Sequence, residues 1–136
     1  MYQSYNLSHG DAQKMIGAIQ TKLEKEDKAA AIAVTDSHGE LIAFLRMDGC
    51  HLPPLYVAIN KAFTAARERK ESGEVGNASR EYGFPITNYG DLRYTGWAGG
   101  FPIQYQNKVI GAIGISGLDE AEEAQLGQMA VALING

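Results

Sequence analysis

Arg46 and Lys61 are side chains suited to hold a small anion, with Asp48 to orient one of them. A guanidinium presents a planar fork that matches a carboxylate. An ammonium serves as base or anion ligand if burial lowers its pKa. Arg46 and Asp48 stand in "FLRMDG", at the end of a strand-like run. Lys61 stands in "AINKAFTAA", beside the apolar stripe of a helical pattern and one turn from Thr64. In a carboxylate enzyme Arg46 would be the clamp, Lys61 the base or anion ligand, and Asp48 the group that orients one of them. Tyr89, Asp91, Arg93 and Tyr94 are near enough in sequence to one another to complete such a pocket. The bland alternative is a surface pair of Arg46 and Asp48, with Lys61 laying its stem along apolar surface. A second constellation is Cys50 beside His51 in "DGCHLPP", between a strand and a helix, where binding loops often sit. His9 opens the first helical pattern and His38 falls in a turn. The chain has one cysteine and no CxxC or HExxH, so it offers no standard zinc site. No nucleophile–base pair is visible either, which leaves a hydrolase unsupported.

The composition bounds the setting. At 136 residues, the chain matches the commonest size of one domain and buries enough surface to fold without disulfides. The net charge of −4, with no basic cluster, lacks the electrostatic footprint of a nucleic-acid binder. No apolar run approaches the roughly 18 residues of a membrane span. The amino terminus, "MYQSYNLSHGD", is polar and unlike a signal peptide. The expectation is a cytoplasmic protein with a reduced thiol that meets a small molecule rather than nucleic acid or membrane.

Positioning these side chains requires a scaffold, and its elements are legible in the spacing. Ser8 with Asp11 three residues on forms a capping signal, and Ala12, Met15, Ile16, Ile19 and Leu23 follow at helical spacing. This predicts a helix over about 9–27, with the charged run after Leu23 as its solvated end. Ile32 and Val34, then Leu41, Ile42, Phe44 and Leu45, read as two strands joined at "DSHG". Pro53 and Pro54 open a second helix whose stripe is Leu55, Ala58, Ile59, Ala62 and Ala66. Residues 71–93 show no sustained period and read as a long loop with one helical turn near 78–82. Three strands follow, over 94–98, 101–104 and 108–115, the last two joined at Gln106–Asn107. A final helix begins at "DEAEEAQ", where Asp119 can cap it and Glu120, Glu122 and Glu123 complement its dipole. The order α-β-β-α-β-β-β-α predicts an α+β fold, a five-stranded antiparallel sheet flanked by helices.

Four segments in order, "FLRMDG", "AINKAFTAA", "GGFPI" and "VIGAIGISG", resemble the haem-binding HbpS/GlcG-like proteins, a group that also includes the carboxy-terminal domain of PduO-type adenosyltransferases. The resemblance runs from the first helix to the last. It implies a profilin-like fold and homo-oligomers from dimer to octamer. It also implies binding of haem or a related ligand, in a family whose members often sit in catabolic operons. Haem needs an axial ligand and an apolar slot. His51, Cys50 and His9 are then the candidate iron ligands, the last because amino-terminal histidines serve in some relatives. Trp97 and Phe101 would suit the slot or an interface. Position 50 is Cys where members commonly carry a small residue such as Ala.

The glycines of "GGFPIQYQNKVIGAIGISG" support two readings. Gly99 and Gly100 let the backbone turn sharply and approach a neighbour closely. Gly111, Gly114 and Gly117 leave gaps in a strand, either as seats for a packed helix or as the floor of a ligand pocket.

Overall fold

A computed structural model describes residues 1–135. The chain runs α1 (His9–Lys25), β1 (Ala31–Asp36), β2 (Leu41–Arg46), α2 (Pro54–Glu68), α3 (Ser72–Tyr82), a 3-10 turn (Ile86–Tyr89), β3 (Gly100–Tyr105), β4 (Lys108–Ser116) and α4 (Glu120–Asn135). The α+β architecture is as the patterns predict, with one antiparallel sheet in the order β2-β1-β4-β3. Among the described residues its strands number four, not five.

The missing strand is 94–98. Its polar groups are taken by helices instead of a ladder. The Thr95 amide donates to Thr64 Oγ1 at 2.9 Å, and Ser72 Oγ donates to the Trp97 carbonyl at 2.6 Å. The loop expected at 71–93 is the second correction. Residues Ser72–Tyr82 form a full helix, closed by Gly83 in the left-handed conformation at φ 70°.

Local signals explain the remaining elements. Ser8 Oγ accepts from the Asp11 amide at 3.0 Å, and Asp119 Oδ1 accepts from the Glu122 amide at 2.8 Å, so both expected caps form. The β1–β2 turn closes on Asp36, whose carboxylate accepts from the His38 and Glu40 amides. Gln106 and Asn107 both have positive φ, 48° and 63°, the primed turn that matches strand twist.

The sheet is covered on both faces, and the faces differ. Under α1 and α4 the core is bulky: Met15, Ile19 and Leu23 pack on Ile32, Val34, Ile103, Ile113 and Ile115. Under α2 it is built of alanine: Ala31, Ala33 and Ala112 meet Ala58, Ala62, Ala65 and Ala66. Gly114 faces α2, and a Cβ there would lie 2.1 Å from the Ala58 carbonyl oxygen. The strand glycine is therefore a seat for a helix. Among the described residues, no helix is long and apolar enough to cross a membrane.

Candidate functional site around the loop between β2 and α2

Met47 anchors this loop. It is buried, and its amide donates to the Ala30 carbonyl at 3.1 Å. The chain then turns through Gly49 at φ 89°, and the Cys50 amide returns to the Met47 carbonyl at 3.1 Å. Asp48 is left exposed at the tip, while Cys50 is half-buried against the alanine layer. His51 and Leu52 stand in solvent, and Tyr56 follows one turn into α2, also exposed.

Two clefts flank the loop and share Asp27, Lys28 and Asp48. One, of about 320 Å³, adds Gln20, Glu24 and Arg46. The other, of about 340 Å³, adds Cys50, His51 and Gly117. The structure thus brings Arg46, Asp48, Cys50 and His51 to one end of the molecule. Lys28, which lines both clefts, also binds Glu122 at 2.5 Å. In the sequence Lys28 belongs to the charged, solvated end of the first helical pattern. Only the return of the chain into β1 places it here, so no local signal marks it.

The electrostatics distinguish the two donors. Burial pushes the Cys50 thiol up from its ordinary value, and the nearby Arg46 charge opposes this only in part. Cys50 is therefore a neutral thiol near pH 7. Its Sγ donates to the His51 carbonyl oxygen at 3.4 Å. The His51 side chain has no hydrogen-bond or ionic partner among the described residues, which leaves the imidazole open to a ligand.

The other candidates lie elsewhere. His9 is exposed at the start of α1. Two residues earlier, the Leu7 amide bonds the Ile110 carbonyl near the start of β4. Cys50 instead sits by Gly117, just beyond the end of β4. At about 3.3 Å per residue these points are roughly 23 Å apart, so His9 and His51 do not converge.

Lys61 is buried on α2 and donates to Glu123 Oε1 and to the Ile115 carbonyl, each at 3.0 Å. It does not line the clefts beside Arg46. Gly99, at φ 122°, lets the backbone pass this pair, since a Cβ there would lie 2.7 Å from Lys61 Nζ. Gly100 is pressed against the Lys61 carbonyl in the same way, and its amide donates to Ser72 Oγ at 2.9 Å. Phe101 is buried with its ring against Gly127 of α4, and Trp97 is exposed beside Gly73 and Asn77 of α3. Neither lines the clefts around Arg46 and His51. Among the described residues, no three His, Cys, Asp or Glu side chains gather to hold a bare metal ion.

Comparison with known proteins sets this geometry in a family. GlcG of Escherichia coli K12 is 35% identical over 113 residues, 81% of each chain. Protein ORFY of Klebsiella pneumoniae superposes with a TM-score of 0.87 at 25% identity, covering 98% of this chain and 94% of that one. A protein solved as a PduOC–haem complex shares the fold, with a TM-score of 0.86 at 22% identity over 96% of both chains. The family model described as haem degrading protein HbpS-like matches residues 7–132, and the chain belongs to that HbpS-like family.

Proposed function

We propose that this chain binds haem at the loop between β2 and α2, where the His51 imidazole would hold the iron. The observation that carries the reading is that exposed imidazole, unpaired among the described residues and lining a cleft with Lys28. Exposed Leu52 and Tyr56, next in the chain, would offer apolar contact for a macrocycle. Lys28, and Arg46 in the adjoining cleft, would supply cations for propionates. A bound haem would supply an iron centre, and this chain would supply the ligand, the apolar rest and the charge match. Cys50, held neutral, supports the loop. Membership in a family described as haem-degrading, and a relative of the same fold solved with haem, support the reading.

Titration of the purified protein with hemin, followed in the Soret band, tests this. A saturable shift that His51→Ala abolishes and His9→Ala leaves intact is the expected result. A shift lost in His9→Ala but kept in His51→Ala would move the site to α1. A shift that never saturates would remove the haem reading.

A small carboxylate at Arg46 is the second reading. It is favoured by the placement of Arg46 and Lys28 in one cleft, where Asp48 would orient one of them. It predicts that Arg46→Ala abolishes carboxylate turnover and leaves iron ligation by His51 in place. The reading also includes self-association, because exposed Leu52 and Tyr56 suit burial against a second copy. Sedimentation equilibrium showing only monomer would remove that part.

A further inference from the structure

At the far edge of the sheet, where α2 ends and α3 begins, lies a cavity of about 550 Å³. It is lined by Phe101 and Pro102 of β3, by Val131 and Ala132 of α4, and by the exposed Arg69 and Lys70 that follow α2. We infer that this cavity binds an amphipathic carboxylate, an aryl or acyl body on the Phe101–Val131 surface with its carboxylate held by Arg69 and Lys70.

The first support is charge without a partner. Arg67 and Arg93 nearby are both paired with Glu40. Arg69 and Lys70 make no ion pair among the described residues. The second is conformation. Arg69 closes α2 at φ 58°, ψ 34°. That left-handed cap position is usually glycine, because a Cβ there crowds the backbone. A long cation in a strained backbone position beside a cavity suggests use of its side chain.

The third concerns the occupant. The cavity opens along an edge strand, where an added strand is the usual visitor. Pro102 has no N–H and interrupts that ladder, which disfavours a peptide and favours a small molecule. No His, Cys, Met or Tyr lines the cavity, so it offers haem iron no ligand. The inference is therefore independent of the haem reading. Glu71 and Glu74 also line the cavity, but they stand at the cap and in the first turn of α3, whose dipole favours them there.

Isothermal titration with 3-phenylpropionate, and with 3-phenylpropionamide as its uncharged isostere, tests the inference on the full chain. The acid should bind at least about tenfold tighter than the amide, the ratio one charge-assisted hydrogen bond supplies. Arg69→Gly should melt at or above the parent temperature, since it relieves the left-handed strain, yet weaken the acid about tenfold. Glu71→Gln should tighten the acid, because it removes an opposing charge. Val131→Trp should fill the cavity and abolish binding of both probes. None of these variants should alter the hemin titration. Equal binding of acid and amide, full affinity in Arg69→Gly, or no binding of the acid by the parent would each overturn the inference.

Discussion

Lys61 and Glu123 meet at 3.0 Å with almost no water around them, each about 5% exposed. Every charged atom there has a protein partner: the ammonium also reaches the Ile115 carbonyl, and Glu123 Oε2 accepts from the Leu118 amide at 3.2 Å. Such a pair is marginal as a whole and costly to break in half. Lys61→Met should lower unfolding free energy by about 3–5 kcal/mol, because it strands a buried carboxylate. Lys61→Met with Glu123→Leu should recover much of that loss, and urea denaturation of the three proteins measures both. The pH dependence has a definite sign. Burial holds the Glu123 carboxyl above its ordinary 4.5, with Lys61 and the Leu118 amide opposing. An acid raised in the folded state favours folding most when protonated. Its contribution is thus fully present below about 4.5 and declines as pH rises through the folded value. The stability difference, parent minus Glu123→Gln, should fall with rising pH over that window; a rise would contradict the assignment. Asp91 runs the other way. Its bonds to Arg93 lower its carboxyl below 3.8, so its contribution is lost as pH falls through that lower value. Lys61 could be singled out in the sequence because it adjoins an apolar stripe. Its partner could not, since nothing local links it to a residue 62 positions on.

At the scale of elements, α3 shows why a breaker-rich segment can still be helical. "SGEVGNASREY" carries two glycines and an Asn, each unfavourable in a helix interior. Packing overrides propensity here. Val75 is buried, and Gly76 touches the backbone of Gly96 so closely that a Cβ would lie 2.0 Å from the Gly96 carbonyl oxygen. Propensity alone says Gly76→Ala should stabilise by roughly 1 kcal/mol. Contact says the opposite, because neither backbone can yield without shifting Ser72 and Trp97, which are bonded to each other. Gly76→Ala is expected to lower the melting temperature by several degrees, corresponding to a loss of roughly 1–3 kcal/mol. A rise would mean that propensity governs. The same contacts explain the false strand at 94–98. Tyr94, Thr95 and Trp97 carry strand-like residue types, yet Tyr94 bonds Glu68 and stacks on Tyr89 at 4.5 Å, fastening the segment across α2. Elements with strong local signals, α1, α2, α4 and the strands β1 to β4, are legible in the sequence. Those formed by contact with a distant helix are not. The site followed the same rule: Cys50 and His51 announce themselves as loop neighbours, while Lys28 enters the clefts only through the topology.

Across the whole molecule, the two faces of the sheet set different tolerances. Under α1 and α4, bulky side chains interdigitate, and removal of one methylene leaves a small gap. Under α2, alanines and Gly114 bring helix and strand backbones nearly into contact. A close-packed interface cannot accept volume without moving the helix. That helix cannot move freely, because α2 carries Lys61 to Glu123, Thr64 to Thr95 and Arg67 to the His38 carbonyl. Ala62→Leu should therefore cost about 1–3 kcal/mol or more. Ile113→Val, on the other face, should cost about 0.5–1.5 kcal/mol. The order matters more than either value, since hydrophobic burial alone predicts that the added leucine stabilises. Urea denaturation of both variants decides between these accounts. Hydrogen exchange adds the spatial readout: in Ala62→Leu, protection should fall in α2 and in 94–98 together, because the segment is fastened to that helix. Loss confined to the β1–β2 hairpin would show that the alanine face yields locally, and that α2 does not hold the segment in place.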